Sequence, residues 1–255
     1  MQNIKKISKN LVRAFIKNKV IKPIPINFTK NIKNANKLRV LCEKQINKKI
    51  IGFKAGGTAL PVLKKLNEKE PFYASVFHNN LLKSGKTVKI NKYALGIELE
   101  VCFLIDKSFF NRDKKLSTNS VKKFIKKLFP SIEVVGYRQR KKGIKYLGDL
   151  ASDFGANIKF LIGQKSKNKK MNLKNLNTII FNKKSHQTVK GNTNTVYIHP
   201  LNSLKFVLNK LIKDRIKLMH DFYVFTGSTV GVVPIKKGKY IGKIDKLGSV
   251  SVFIK

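Results

Sequence analysis

The segment ALGIELEVCFLI, residues 94–105, places two glutamates inside a strongly apolar strand pattern. Because side chains alternate along a β-strand, Glu98 and Glu100 share one face while Leu99 and Val101 lie on the other. Two like charges side by side in a half-buried strand raise each other's pKa, and their desolvation is costly without a neighbouring cation. The pattern therefore predicts a buried sheet with a positive group, a lysine or a divalent metal, on its glutamate face.

A third glutamate, Glu133, lies in another apolar run, PSIEVVGY, although the chain has only 13 acidic residues. Three carboxylates without clustered histidine or cysteine describe an oxygen-only site, which suits Mg²⁺ or Mn²⁺. The alternative is an edge strand whose glutamates point outward and meet surface lysines. Both explanations stay open at the level of these two strands.

The formal net charge of +42 first suggests a nucleic-acid partner attracted through its phosphates. Only six of the 55 basic residues are arginine, however, whereas base-edge and planar phosphate recognition favour the guanidinium group. The lysines are also spread over the whole chain. We therefore interpret the charge as a lysine-rich surface that binds nucleic acid only through non-specific electrostatics.

Several absences bear on location. No apolar run approaches the ~20 residues of a membrane helix, and the N-terminus lacks the continuous apolar region and cleavage site of a signal peptide. Two cysteines are too few for a disulfide framework. These features predict a soluble, cytoplasmic protein with no membrane partner.

The order of patterns predicts a small N-terminal helical region, residues 1–70, followed by a β-rich domain, residues 71–255. The predicted strands are YASVF, TVKI, ALGIELEVCFLI, SIEVVGY, NIKFLIG, NTIIF, TVYI, DFYVFTGS and SVSVFIK. Two helices interrupt them: STNSVKKFIKKLF, with Val121, Phe124, Ile125 and Leu128 on its apolar stripe, and HPLNSLKFVLNKLIKDRI, which opens at Pro200. The lysine-rich GQKSKNKKMNLKN reads as a solvated loop. Together these patterns indicate a curled mixed sheet or sandwich.

Five segments occur in the order of a known family. They are GFKAGGT, GIELEVCFLI, PSIEVVGYR, ASDFGANIKFLIG and the C-terminal run from HPLNSLKFVLNKL to SVSVFI, and they cover residues from about 38 to 255. Together they resemble the 2-keto-4-pentenoate hydratase and fumarylacetoacetate hydrolase-like superfamily. The resemblance implies an α+β fold with a mixed β-sandwich or β-roll core of the fumarylacetoacetase C-terminal-like type. It also implies a homo-oligomer that acts on a small anionic 2-oxo acid.

The resemblance further implies roles for individual residues. Glu98, Glu100 and Glu133 match the ligands of a divalent metal, and Lys54 in GFKAGGT matches the catalytic lysine. Two more residues match positions near the substrate: Ser228 in TGS and Asp153 in ASDFG. The expected reaction is metal-dependent hydration of a 2-hydroxy-2,4-dienoate or 2-oxo-4-enoate to a 4-hydroxy-2-oxo acid.

One departure from the family pattern leaves the reaction open. Phe72 follows the proline after which the hydratases usually carry an aspartate implicated in proton transfer. Decarboxylation of a related 2-oxo-3-enedioate is therefore the alternative reaction. An alternative of another class is a lysine-rich nucleic-acid-binding protein on a degenerate family fold, which the salt dependence of DNA or RNA binding would distinguish.

Overall fold

A computed structural model describes residues 2–139, 143–164 and 170–255. Within those ranges, no helix combines the length and apolar character needed to span a bilayer. Residues 165–169 of the predicted lysine-rich loop lie outside the described part of the chain.

Helices and strands are labelled in chain order. The helices are α1 (Gln2–Lys17), α2 (Ile26–Thr29), α3 (Ile32–Lys44), α4 (Leu60–Lys65), α5 (Thr118–Lys122), α6 (Leu147–Ser152) and α7 (Pro200–Lys213). The strands are β1 (Ile50–Gly56), β2 (Phe72–Phe77), β3 (Leu81–Lys83), β4 (Thr87–Val88), β5 (Ala94–Ile105), β6 (Ile125–Gly136), β7 (Asn157–Ile162), β8 (Asn177–Asn182), β9 (Thr188–Asn192), β10 (Phe222–Ser228), β11 (Val233–Pro234), β12 (Gly238–Ile244) and β13 (Gly248–Ile254).

The larger sheet has eight strands in the order β2-β1-β10-β5-β6-β7-β3, with β11 paired to β5. Its centre is the long antiparallel pair of β5 and β6. β1 runs parallel to β10 and antiparallel to β2. The predicted helical region, residues 1–70, therefore supplies an inner strand to the sheet of the β-rich part.

A second sheet of five strands, β4-β13-β12-β8-β9, packs on one face of the larger sheet. Leu99 of β5 is fully buried against Gly242 of β12, where an added Cβ would lie 2.5 Å from the leucine side chain. Since side chains alternate, the neighbouring glutamates of β5 point to the opposite face. Two curled mixed sheets with a small N-terminal helical part confirm the predicted α+β fold class.

The N-terminal helices pack over the glutamate-bearing side of the molecule. Leu11 and Phe15 of α1 and Leu38 of α3 form an apolar cluster with Phe77 at the end of β2. Phe154, which follows α6, is fully buried in the same cluster. The helices thus support the turn that closes one side of the site described below.

The predicted helix over residues 117–129 is wrong in its second half. Helix α5 ends at Lys122, and β6 begins at Ile125 and pairs with β5. The register of that pair shifts near Ile125, and such a bulge changes which residues face the core. Ile125 and Leu128 are therefore both buried although they are three residues apart, a spacing that by itself indicates a helix.

The predicted strand TVYI, residues 195–198, is also wrong. A short 3-10 turn ends at Thr195, and Tyr197 and Ile198 have φ angles of 49° and 69°, outside the range of a strand. This irregular segment leads directly into α7, which begins at Pro200 as predicted.

Candidate metal site

Three glutamates from β5 and β6 lie together on the face that turns away from the second sheet. Glu98 is directly opposite Glu133 in the ladder, and Glu100 follows on the same face. One carboxylate oxygen from each residue lies within 4.8 Å of the others. Glu100 and Glu133 are fully buried, while Glu98 is partly exposed. Since β5 and β6 are inner strands, the edge-strand alternative does not describe these residues.

Lys54 reaches this cluster from β1 and is only 4% exposed. Its Nζ donates to Glu133 Oε1 at 2.7 Å and to the carbonyl oxygen of Gly155 at 3.1 Å. Burial acts to lower the pKa of Lys54, but Glu133, Glu98 and Glu100 act to raise it, and the net shift is upward. The side chain is therefore a charged ammonium held against the carboxylates.

The cluster carries more negative than positive charge. Among the described residues, three carboxylates face one ammonium, and both oxygens of Glu100 and Oε2 of Glu133 are buried without a hydrogen-bond partner. Burial raises the pKa of Glu133 to about 7. Burial, then repulsion from Glu133 and Glu98, raises the pKa of Glu100 well above its ordinary value. With all three carboxylates ionised, the cluster lacks two positive charges.

These residues fit a divalent cation. Mg²⁺ and Mn²⁺ prefer oxygen ligands, and the charge of one such ion equals the charge that the cluster lacks. An ion would also give partners to the unpaired oxygens of Glu100 and Glu133. Without one, burying those carboxylates costs several kcal/mol. The geometry and the donor set therefore agree with the three-carboxylate site predicted from the sequence.

The carbonyl that binds Lys54 belongs to a strained turn, residues 153–156. Phe154, Gly155 and Ala156 have φ angles of 54°, 73° and 60°, a left-handed conformation that non-glycine residues rarely adopt. A Cβ at the central glycine would lie 3.3 Å from Lys54 Cδ and closer still to a neighbouring strand. A glycine is therefore needed where the turn approaches the lysine.

Asp153 fixes the start of this turn. Its Oδ2 accepts the backbone N–H of Arg138 at 2.6 Å, and its Oδ1 accepts Arg138 Nη1 at 2.8 Å. The guanidinium also lies 4.9 Å and 4.7 Å from the ring centres of Phe15 and Tyr93. Asp153 is not among the described residues that line the cavity below, so its predicted contact with substrate stays a prediction.

A cavity of about 610 Å³ opens beside the carboxylates. This volume is within the range of small-molecule sites, ~300–1,000 Å³. Lys54 and Glu98 line it, as does Phe72, which is 2% exposed. Much of the remaining wall is apolar and includes Leu60, Val62, Leu95, Val135, Val230 and Val232. The cavity therefore joins a charged end to an apolar wall.

Ser228 also lines this cavity and is the cross-strand partner of Glu100. Its hydroxyl donates to the carbonyl oxygen of Gly231 at 2.7 Å and accepts the Val230 N–H at 3.3 Å. The hydroxyl thus shapes the turn after β10. A contact between Ser228 and a substrate stays a prediction.

The structure brings together Lys54 and the three glutamates, and it adds two residues to which the sequence analysis assigned no role. Arg138 appears in the sequence only as part of a motif, and its pairing with Asp153 joins two segments that no local pattern connects. Gly155 acts through its backbone carbonyl, so its side-chain type gives no direct signal of that contact.

No protein-family model matches the sequence. Among solved structures, the chain is similar to 4-oxalocrotonate decarboxylase from Pseudomonas putida G7, a structure complexed with magnesium and adipate, with 19% identity, a TM-score of 0.86, and coverage of 100% of this chain and 98% of that one. It is also similar to 2-hydroxyhepta-2,4-diene-1,7-dioate isomerase from Mycobacterium marinum, with 13% identity, a TM-score of 0.58, and coverage of 81% and 76%. The chain therefore shares the fold of these proteins, in agreement with the predicted fold class.

Proposed function

We propose that this protein is a metal-dependent enzyme that acts on a short 2-oxo acid, with Glu98, Glu100 and Glu133 holding Mg²⁺ or Mn²⁺. One observation carries the proposal: a buried cluster of three carboxylates and one ammonium lacks two positive charges and opens into a cavity. The similar decarboxylase was solved with magnesium and a small organic acid, which supports the same kind of site here.

A divalent ion in this cluster supplies Lewis acidity toward the oxygens of a 2-oxo acid. The chain's own residues position the reaction around it. Glu98, which is partly exposed, lies at the boundary between cluster and cavity, whereas Glu100 and Glu133 are sealed beneath it.

Lys54 is the positive charge that the protein itself contributes to the carboxylate cluster. Its ammonium is fixed by Glu133 and the Gly155 carbonyl and also lines the cavity. A fixed cation at this place would stabilise the negative charge that moves through the alkene onto the 2-oxygen as the far carboxyl group leaves as CO₂. The ammonium can also donate a proton to the resulting dienolate.

Between the two reactions left open by the sequence, the cavity favours decarboxylation. Hydration needs a group that transfers a proton while water adds, and the family's aspartate for this step is replaced by Phe72. Phe72 is buried in the cavity wall, and Glu98 is the one carboxylate among the described residues that line the cavity. Loss of CO₂ requires no additional base. We therefore propose a decarboxylase of a 2-oxo-3-enedioate, with hydration as the competing activity.

The metal site is tested by thermal unfolding with and without Mg²⁺ or Mn²⁺, after treatment with a chelator. Metal at a hundredfold its Kd should stabilise the protein by ~2.7 kcal/mol, a rise in Tm of about 5–10 °C for a chain of this size. The double variant Glu98→Gln, Glu100→Gln should lose the shift, whereas the control Glu68→Gln, outside the cluster, should keep it. Absence of a shift in the wild-type protein would contradict the proposal.

The reaction is tested by presenting 2-oxo-3-enedioates and 2-hydroxy-2,4-dienoates to the metal-loaded protein. We expect metal-dependent release of CO₂ from the enedioates. Formation of 4-hydroxy-2-oxo acids from the dienoates without CO₂ release would instead establish hydration.

A further inference from the structure

A second cavity, of about 380 Å³, lies between helix α1 and the segment that follows it, residues 18–25. Four cationic side chains line it, two from the helix and two from the segment: Arg13, Lys17, Lys19 and Lys22. No acidic residue is among the described residues of its wall, and the first acidic residue of the chain is Glu43. Most of the other lining residues are apolar, among them Ile7, Val20 and Ile24. The cavity therefore combines an apolar interior with a group of positive charges.

The four cations have no partner within the chain. All 13 acidic residues lie in the described ranges, and none of them forms an ion pair with any of the four. The exposed Lys126, in contrast, is held by Asp221 at 2.7 Å. Arg13 and Lys17 are also four residues apart on one helix, a spacing at which like charges repel each other. An anion between these side chains would relieve that repulsion.

The wall formed by residues 18–25 is fixed to the body of the protein. The Ile21 N–H donates to the carbonyl oxygen of Arg138 at 3.1 Å. The Ile24 N–H donates to Oε1 of Gln139 at 2.7 Å, and that glutamine is fully buried. The backbone of the segment is therefore held in place without a ligand, and the cavity is already formed. A ligand bound by cations from both walls would join α1 to the segment and stabilise both.

The charge and the lining together define the class of ligand. A phosphate group carries close to two negative charges near neutral pH, whereas a carboxylate carries one. Lysine binds phosphate as a point charge, and arginine binds it through its planar guanidinium group. A volume near the lower end of the range for small-molecule sites, ~300–1,000 Å³, leaves room for one small apolar group beside the phosphate.

We infer that this cavity binds a phosphate monoester that carries a small apolar group. It is a second ligand site, because the cavity shares no described lining residue with the one beside the carboxylates. The four cations are exposed, so their attraction for the phosphate weakens as salt is added.

The experiment measures the binding of phenyl phosphate, inorganic phosphate and benzoate by calorimetry, at low salt and with a chelator present. Phenyl phosphate should bind about tenfold more tightly than either of the others, since it alone offers both the dianion and the apolar group. The double variant Lys17→Gln, Lys22→Gln should bind it about tenfold more weakly than the wild type. Phenyl phosphate should also raise the Tm of the wild-type protein more than that of this variant.

The matched control is Lys5→Gln, Lys9→Gln, which removes the same charge from two exposed residues of α1 outside the cavity. It should keep the wild-type affinity for phenyl phosphate. Equal weakening in both double variants would show a general effect of surface charge and would overturn the site. Equal affinity for phenyl phosphate and inorganic phosphate, or for phenyl phosphate and benzoate, would contradict the class of ligand. Because no metal is present in this experiment, its failure would leave the proposed function unaffected.

Discussion

Two buried charged centres lie on either side of the turn at residues 153–156, and they differ in how their charges are balanced. In one, Asp153 accepts two hydrogen bonds from Arg138, and the guanidinium lies over aromatic rings. In the other, three carboxylates share the ammonium of Lys54, and three carboxylate oxygens have no partner among the described residues. In the first centre the two charges are matched within the chain, although Arg138 Nε has no hydrogen-bond partner among the described residues. In the second, three carboxylates exceed the single ammonium.

The comparison shows why burial of charge does not by itself indicate function. A buried pair with matched partners is neutral overall and acts as a structural clamp. A buried cluster with excess charge is unfavourable for the protein alone and is typical of a binding site. Both centres lie in segments that resemble the same family, so the sequence pattern alone does not separate them.

The largest effect is expected at the Arg138–Asp153 pair. Arg138→Met leaves the Asp153 carboxylate buried without its cation, which should lower the free energy of unfolding by ~3–5 kcal/mol. Adding Asp153→Asn should restore part of the loss, because the amide is neutral and its oxygen still accepts the Arg138 N–H. Urea unfolding of both variants checks this expectation, with the exposed Arg13→Met as the control.

A different result would place this pair in the active site. If Arg138→Met left stability unchanged but weakened binding of a dicarboxylate such as adipate, the pair would act on the ligand. Asp153 would then contact substrate as the sequence predicted, and the distinction between the two centres would not hold.

The next largest effect is expected at Lys54, the cation of the carboxylate cluster. Lys54→Met should lower kcat by at least ~100-fold, in line with the loss of one oxyanion or acid–base group. Metal affinity should stay at the wild-type level or increase, because the three carboxylates remain and a competing positive charge is removed. Lys54→Arg should not restore turnover, since a larger group does not fit between Glu133 and Gly155.

Steady-state kinetics and metal titration of the same variant separate the two properties. Lys183→Met, an exposed lysine, is the control and should retain wild-type kcat. Near-normal turnover in Lys54→Met would show that the ammonium only offsets charge in the cluster and takes no part in the reaction.

The parts of the fold that the sequence predicts are those set by local alternation. Strand β5 and helix α7 follow from the spacing of their apolar residues. The second half of the helix predicted over residues 117–129 is wrong because the spacing of its apolar residues also fits a bulged strand. Pairing with the long strand β5 favours the strand. A pairing between strands distant in sequence cannot be derived from either strand alone.

The same limit applies to the site. Alternation places Glu98 and Glu100 on one face, but Glu133 lies opposite Glu98 only because of the register between β5 and β6. Lys54 and Glu133 are 79 residues apart, so their contact is also a product of the tertiary fold. The family resemblance indicated these residues together.

The smallest expected effect is a difference in the free energy of unfolding between two Glu→Gln variants, one on β5 and one on β6. Glu100 has both oxygens unpaired and faces two other carboxylates, so Glu100→Gln removes repulsion and a desolvated charge. Without metal, its free energy of unfolding should stay equal to that of the wild type or rise by up to ~1 kcal/mol. Glu133→Gln removes the partner of Lys54 and leaves a buried ammonium, which should cost ~1–3 kcal/mol.

Urea unfolding of both variants in the presence of a chelator measures whether each substitution raises or lowers the free energy of unfolding. Both should lose the stabilisation that Mg²⁺ gives to the wild-type protein, because each removes one carboxylate from the cluster. If Glu100→Gln instead destabilised the metal-free protein as much as Glu133→Gln, the carboxylate of Glu100 would have a stabilising partner without metal. The unbalanced centre would then be complete by itself, and its excess charge would no longer argue for a bound ion.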